Sequence, residues 1–121
     1  MDNSMKICWT LFLLATCLLL AGCAPKADFD IRGEWDYTMT AADGNTYDIG
    51  TVTFSGKAAK GTYLEINIYQ VDYKGEYTVN GALLKLTGDE TWEGTITDAN
   101  SISGVWNHDD GFSGTFTVVR K

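Results

Sequence analysis

Apolar and polar residues alternate in short runs along most of the chain. From about residue 33 to the end, apolar side chains recur at every second position, which is the spacing of a strand with one buried face. Clusters of Gly, Asn and Asp separate the runs, and Asp43-Gly44-Asn45 and Asn80-Gly81 favour hairpin turns. The pattern predicts eight strands, at residues 33–41, 46–55, 62–70, 73–80, 82–88, 91–97, 101–107 and 112–120.

The connections between these strands are too short for the crossover that a parallel pair needs, so we expect an antiparallel meander. An apolar-x-Gly-x-apolar motif recurs at Gly33, Gly75, Gly94, Gly104 and Gly114. Glycine is unusual inside strands, and repeated glycines at matching positions indicate sharp bends in a closing sheet. We therefore predict an all-β fold, a small eight-stranded antiparallel up-and-down barrel. A sandwich of two four-stranded sheets is the alternative.

Large aromatic side chains share the face of these glycines, because residues two apart in a strand point the same way. They are Trp35, Tyr37, Phe54, Tyr73, Tyr77, Trp92, Trp106, Phe112 and Phe116. One interpretation is that all of these except Trp35 line an apolar ligand pocket at the barrel mouth. The other is that they fill the interior, since an eight-stranded barrel is just wide enough for packed side chains. The sequence leaves both open.

The start of the chain has a different composition. Residues 7–21 carry no charge and are too few for a membrane span of about 20 residues, but they match the core of a signal peptide. Leu20-Ala21-Gly22-Cys23 resembles the lipobox of bacterial lipoproteins. The resemblance implies cleavage before Cys23 and attachment of acyl chains such as palmitate to it. The alternatives are an ordinary secretory signal and a retained transmembrane helix.

This interpretation divides the chain into a removed signal peptide over residues 1–22, a lipidated cysteine and short tether over 23–31, and a barrel domain over 32–121. Translation starts at Met1 or at Met5. By the same resemblance, Ala24 is not the Asp that retains lipoproteins in the inner membrane. We expect the outer membrane, on its periplasmic or surface side, in a Gram-negative species. In a Gram-positive species we expect the outer face of the plasma membrane.

Cysteine use and charge exclude several functions. Cys8 and Cys17 leave with the signal peptide and Cys23 takes the lipid, so the mature region has no thiol for catalysis, disulfides or metal binding. The formal net charge is −7, and the acidic residues are spread along the sequence rather than clustered. An acidic chain is not expected to bind nucleic acid. We expect no cofactor.

The first and last strands of the predicted barrel carry a family resemblance. Gly33-Glu34-Trp35 at the start of the first strand and Arg120 at the end of the last resemble the lipocalin and wider calycin barrels. Those proteins pack a basic residue across the tryptophan of Gly-x-Trp, and the resemblance implies that Trp35 and Arg120 close the barrel. The aromatic-glycine repeats also resemble avidin-like barrels.

The third predicted strand offers a second candidate surface. Alternation places Leu64, Ile66 and Ile68 on one face, which we predict to be core. The other face, which we predict to be solvated, carries Tyr63, Glu65, Asn67 and Tyr69. The alternative is that this tyrosine-rich face belongs to a recognition surface, because tyrosine combines contact area with a polar tip.

The remaining polar candidates indicate no catalytic site. His108 beside Asp109 and Asp110 suggests a metal cluster, but adjacent turn residues rarely converge on one ion, so we predict a polar hairpin tip. Glu90 and Glu93 flank Trp92 and lie three residues apart, which puts them on opposite faces of a strand at predicted solvated positions. They are therefore no glycosidase pair.

The sequence thus favours a non-enzymatic, membrane-anchored binding module for a small apolar or amphipathic molecule. The alternative is an envelope protein with a filled barrel that engages a protein partner through its surface, as an inhibitor or assembly factor. A dry cavity would favour the first and a filled core with an exposed apolar patch would favour the second.

Overall fold

A computed structural model describes residues 26–121 as a closed barrel of eight antiparallel strands in sequence order. The strands are β1 (Gly33–Ala41), β2 (Thr46–Gly56), β3 (Lys60–Asn67), β4 (Asp72–Asn80), β5 (Leu83–Gly88), β6 (Glu90–Asp98), β7 (Ser101–His108) and β8 (Ser113–Arg120). The predicted up-and-down barrel is confirmed, and the sandwich alternative is wrong. The lipobox, Leu20 to Cys23, lies outside the described residues.

Pairing of the last strand with the first closes the barrel. Trp35 lies opposite Arg120, and Ala41 lies opposite Gly114. Every strand therefore has two hydrogen-bonded neighbours, so no edge in the described region is open to aggregation. In residues 26–121 no helix is long and apolar enough to cross a membrane.

Aromatic side chains pack the interior of the barrel. Most of the inward-facing rings are fully buried, and they meet edge-on or tilted at centroid distances that aromatic pairs prefer. The contacts run from Trp35 to Phe54 at 6.5 Å and on to Tyr77 at 5.2 Å, and from Tyr37 to Trp92 at 5.6 Å and on to Phe116 at 4.7 Å. The structure thus places these residues in a packed core.

The glycines of the repeat leave room for these rings and for close approach of the strands. Gly94 lies opposite Gly104 in the β6–β7 pair. A Cβ atom on Gly94 would lie 2.7 Å from Cζ of Phe116, and one on Gly75 would lie 2.7 Å from Cε1 of Tyr63. Each glycine therefore accommodates an aromatic ring from another strand.

The segment before β1 closes the end of the barrel where β1 starts. Gly81 donates to the carbonyl of Lys26 at 2.7 Å, and its own carbonyl accepts from the amide of Asp28 at 2.9 Å. Phe29 packs against the core, and Ile31 is completely buried. Residues 26–31 of the predicted tether thus pack on the barrel.

Arg120 ties the last strand to this segment. Its Cζ lies 4.3 Å from the ring centroid of Trp35, a cation–π geometry that contributes about 0.5–2 kcal/mol. Its guanidinium donates to the carbonyls of Ala99 at 3.0 Å, Arg32 at 3.0 Å and Asp30 at 2.8 Å. Trp35 in turn donates from Nε1 to the carbonyl of Ile31 at 2.8 Å.

The predicted orientation of the third strand is wrong. Tyr63, Glu65 and Asn67 face the interior and are buried, whereas Leu64 and Ile66 lie half-buried on the outer face. Cross-strand partners share a face of the sheet, and β3 pairs with β2 so that Tyr63 faces Phe54 and Glu65 faces Val52. A shift of the register by one residue would move every side chain of a strand to the opposite face of the sheet. In β3 the register with β2, rather than the apolarity of its own residues, decides which side chains face the interior.

The predicted end of this strand is also wrong. β3 ends at Asn67, whose side-chain Oδ1 accepts hydrogen bonds from the amides of Tyr69 at 3.0 Å and Val71 at 2.9 Å. The side chain thereby closes a turn, as Asn commonly does. Ile68, predicted to be core, lies in this turn and is 55% exposed.

Candidate functional site at the acidic end

The two ends of the barrel differ in charge. The acidic end holds the carboxylates of Asp43, Asp48, Glu65, Asp72, Asp89, Glu90, Asp109 and Asp110. The other end, where β1 starts, holds six cations as well as Asp28, Asp30, Glu34 and Asp98, and we call it the basic end; its cations are Lys26, Arg32, Lys57, Lys60, Arg120 and Lys121. The acidic residues are spread along the sequence, as predicted, but about half of those in the described residues come together at one end of the fold. Alternate turns of an up-and-down barrel lie at opposite ends, so acidic turns separated in sequence come together.

Glu65 on β3 is the most unusual residue at the acidic end. It is 1% exposed, and its Oε2 is buried with no hydrogen-bond partner within the part of the chain that the structure describes. Burial first, then the charges of Glu90 and Asp48, raise the pKa of Glu65 from 4.5 to about 8, while a hydrogen bond with Tyr37 opposes the change. At neutral pH the carboxyl is therefore mostly protonated, and one acceptor oxygen is unused.

Glu90, the first residue of β6, is a second inward carboxylate. It is 4% exposed, and Trp92 donates to it from Nε1 at 3.2 Å. Burial raises its pKa, and the Trp92 hydrogen bond and His108 oppose that shift. The prediction that Glu90 is solvated is wrong, because it shares the inward face with Trp92. Glu93 does lie on the outer face, where it contacts Lys85 at 3.9 Å.

Tyrosine hydroxyls surround the inward carboxylates. Tyr37 on β1 donates to Oδ2 of Asp48 at 3.3 Å. Burial, followed by the charge of Glu65, raises the pKa of both Tyr37 and Tyr63. Tyr73 on β4 is half-buried, and burial followed by the charge of Asp48 raises its pKa. All three hydroxyls are therefore protonated donors at neutral pH.

Exposed aromatic and aliphatic side chains form the rim of the acidic end. Tyr47 stacks on Trp106 at a centroid distance of 4.6 Å and lies 6.4 Å from Phe112. Tyr69 is 78% exposed at the β3–β4 turn. Phe112, predicted to face inward, is 59% exposed because it lies in the turn before β8 rather than in the strand.

The predicted lining residues do not form one site. Phe54 and Tyr77 belong to the half of the core near the basic end, where the Tyr77 hydroxyl donates to the carbonyl of Lys57. The acidic half contains Tyr37, Tyr73, Trp92, Trp106 and Phe116. The sequence pattern does not predict that Asp48, Glu65 and Glu90 lie at the same end of the fold. The signal that could have found Glu65 was its two-residue spacing from Tyr63, which pairs with Phe54.

The side chain of His108 contacts that of Asp110 within the same turn. Nδ1 of His108 lies 2.7 Å from Oδ1 of Asp110 at the β7–β8 turn. Between residues 26 and 121 no group of three or more His, Asp or Glu side chains could hold a metal ion. This turn thus joins the acidic end as a charged rim segment.

Solved structures with a similar fold are designed barrels. A redesigned β-barrel matches with a TM-score of 0.62 and 20% identity over 75% of this chain and 91% of that one. Another, bound to DFHBI, matches with a TM-score of 0.59 and 20% identity over 74% and 94% of the two chains. A de novo designed fluorescence-activating β-barrel matches with a TM-score of 0.56 and 17% identity over 76% and 94%. These likenesses show the fold alone. Comparison with protein-family models and with curated proteins finds no match.

Proposed function

We propose that this chain is a lipid-anchored extracytoplasmic protein without catalytic activity, whose acidic end binds a small amphipathic molecule. The observation that carries the binding proposal is the buried, unpartnered Oε2 of Glu65. A buried polar atom without a partner costs about 1–3 kcal/mol, and a ligand donor at that oxygen would offset the cost. The aromatic rim supplies apolar area beside it, and a barrel of similar fold binds DFHBI.

The anchoring proposal rests on the lipobox and on the place of Lys26, the first residue that the structure describes. Cys23 precedes Lys26 by three residues, and Lys26 hydrogen bonds to Gly81 at the basic end. A lipidated Cys23 would therefore hold the basic end against the bilayer, with the acidic end pointing away from it. In a Gram-negative species the proposed location is the outer membrane, and in a Gram-positive species the outer face of the plasma membrane.

Replacement of Cys23 by serine tests the anchor. We expect Cys23→Ser to block acylation, because the serine hydroxyl does not replace the thiol that takes the lipid, and to leave an unprocessed precursor. Metabolic labelling with a palmitate analogue and the mass of the mature chain measure this. Cys17→Ser, which alters a cysteine of the signal peptide, is the matched control. Undiminished labelling of Cys23→Ser would refute the anchor.

Native mass spectrometry of the membrane-extracted full chain tests ligand binding. After incubation with an extract of its own cell envelope, we expect a reproducible added mass that is lost on denaturation. We expect Glu65→Gln to reduce its occupancy and Glu76→Gln, an outer-face change on β4, to leave it unaltered. A mass equal to that of the bare polypeptide and its lipid in every preparation would contradict small-molecule binding.

A protein partner is the second candidate, and the rim and packed interior favour it. Ile68, Tyr69, Val71 and Phe112 are exposed around the acidic end, and exposed apolar patches commonly mark interfaces. Such a partner would carry basic residues opposite the carboxylates. The same mass measurement distinguishes the candidates, because a protein partner adds kilodaltons.

A further inference from the structure

We infer that the acidic end recognises a protonated primary amine carried on an aromatic or apolar body. This inference rests on the proposed function and names the chemical class of its ligand. The ammonium group would bind Oε2 of Glu65, with Glu90 and Asp48 contributing attraction, and the body would lie against the exposed rings of Tyr47 and Phe112 at the rim.

The buried side-chain atom that lacks a hydrogen-bond partner in residues 26–121 is a carboxyl oxygen of Glu65. The Tyr37 hydroxyl donates to Asp48, and the Trp92 indole donates to Glu90. What remains is Oε2 of Glu65, whose carboxyl group feels the charges of Glu90, Asp48 and Asp89. A ligand that presents donors and positive charge satisfies this oxygen, whereas an anion would be repelled.

The single free oxygen favours an ammonium over a guanidinium. A guanidinium is a planar fork that binds both oxygens of one carboxylate, but only Oε2 of Glu65 is without a partner among the described buried oxygens. An ammonium is compact and directs its three N–H donors to separate oxygens. It therefore suits the one unpartnered oxygen of Glu65 better than a planar fork does.

The rim suits the body of such a ligand. Tyr47 and Phe112 present exposed ring surface. The Tyr47 ring is inclined by 29° to the Trp106 ring on which it stacks and by 31° to the Phe112 ring. Aromatic faces bind both apolar groups and the periphery of a cation, which contributes about 0.5–2 kcal/mol. The charge at the interior and the apolar surface at the rim match an amphipathic amine.

Binding of an amine would be linked to release of a proton. Protonated Glu65 passes its proton to buffer, and the resulting carboxylate pairs with the ligand ammonium, so charge and atoms balance. The groups that face it are Asp48 from β2, Tyr37 from β1, Tyr73 from β4, Glu90 and the preceding Asp89, with His108 beside Glu90. These carboxylates favour an incoming cation, and we expect affinity to rise from pH 6 to pH 8.

Calorimetric titration of the full chain in lipid nanodiscs tests the inference, with empty nanodiscs as the blank. The probes are 2-phenylethylammonium chloride, neutral 2-phenylethanol and sodium 3-phenylpropionate, each at pH 7 in buffers of different ionisation enthalpy. We expect the ammonium to bind at least about tenfold more tightly than the alcohol and to release up to about one proton. Glu65→Gln should abolish the proton release and reduce affinity about tenfold, and Glu90→Gln should weaken binding while retaining the release. Glu76→Gln is the control.

The outcomes that contradict the amine inference can be told apart from those that contradict small-molecule binding. Equal affinity for the ammonium and the alcohol, or preference for the carboxylate, would overturn the amine inference and leave ligand binding at the acidic end intact. Ammonium binding unaffected by both glutamine variants would overturn it as well. No binding of any probe, together with a ligand mass in the native spectrum, refutes the amine class alone. No probe binding and no ligand mass refutes small-molecule binding at the acidic end as well, and leaves the protein partner as the candidate.

Discussion

Replacement of Glu65 by glutamine is expected to remove most of the pH dependence of barrel stability between pH 4.5 and pH 8. The pKa of the carboxyl is about 8 in the folded protein against an ordinary value of 4.5. The folded state therefore binds this proton more tightly than the unfolded state. Its stabilising contribution is fully present below pH 4.5 and is lost as the pH rises to about 8.

The expected fall in the free energy of unfolding between pH 4.5 and pH 8 is large for a small domain. A difference of one proton between the states changes the free energy of unfolding by about 1.4 kcal/mol per pH unit, so the total across this range is about 3–5 kcal/mol. Glu90 acts in the same direction because its pKa is also raised. Asp30, whose pKa is lowered to about 2, is ionised in both states across this range and adds no slope.

Urea unfolding followed by tryptophan fluorescence at pH 5, 6, 7 and 8 measures this effect. We expect the wild-type free energy of unfolding to fall steadily with pH and that of Glu65→Gln to fall much less, so that the variant is the more stable at pH 8. The exposed Glu76→Gln variant should follow the wild type. If the free energy of unfolding changed with pH in the same way for Glu65→Gln and wild type, the pKa of Glu65 would be an ordinary one. The proposed ligand site at this carboxyl would then lose its support.

Replacement of Gly104 by alanine is expected to prevent stable folding. A Cβ atom on Gly104 would lie 2.0 Å from the carbonyl oxygen of Glu93 and 2.5 Å from Cα of Gly94. Both are backbone atoms of β6, so they can move only if the β6–β7 hydrogen bonds break. A domain of this size is stable by about 5–15 kcal/mol, and the loss of one strand pair in a closed barrel consumes most of that.

Gly44→Ala is the matched control. Gly44 lies in the β1–β2 turn with a positive φ of 88°, and a Cβ atom there would meet nothing within 4 Å. We expect a cost of about 1 kcal/mol from backbone conformation alone, with the barrel intact. Circular dichroism and thermal unfolding measure both variants. A folded Gly104→Ala with a melting temperature near that of Gly44→Ala would contradict the proposed role of close strand approach in closure.

The sequence predicts the strands of the barrel but not the arrangement of side chains at its acidic end. Alternation and turn residues predict the strands closely, and the repeated glycines predict closure, because both signals are local. The sequence pattern predicts that the Glu65 side chain faces solvent, because Leu64, Ile66 and Ile68 form the more apolar face of the segment. That assignment compares faces within one strand, whereas orientation depends on the partner strand, and Phe54 on β2 places Tyr63 and Glu65 inside.

The order of residues alone is thus enough to predict eight antiparallel strands with an aromatic inner face and to favour a barrel over a sandwich, because strand period, turn chemistry and short connections act between neighbours in the chain. It also predicts the lipobox, which lies outside the described residues. Only the tertiary structure shows that dispersed acidic turns meet at one end, that Glu65 and Glu90 are buried there, and that the rings pack the interior. These features depend on which strands pair and in what register, and a one-residue difference in register reverses the side of the sheet on which a carboxylate lies.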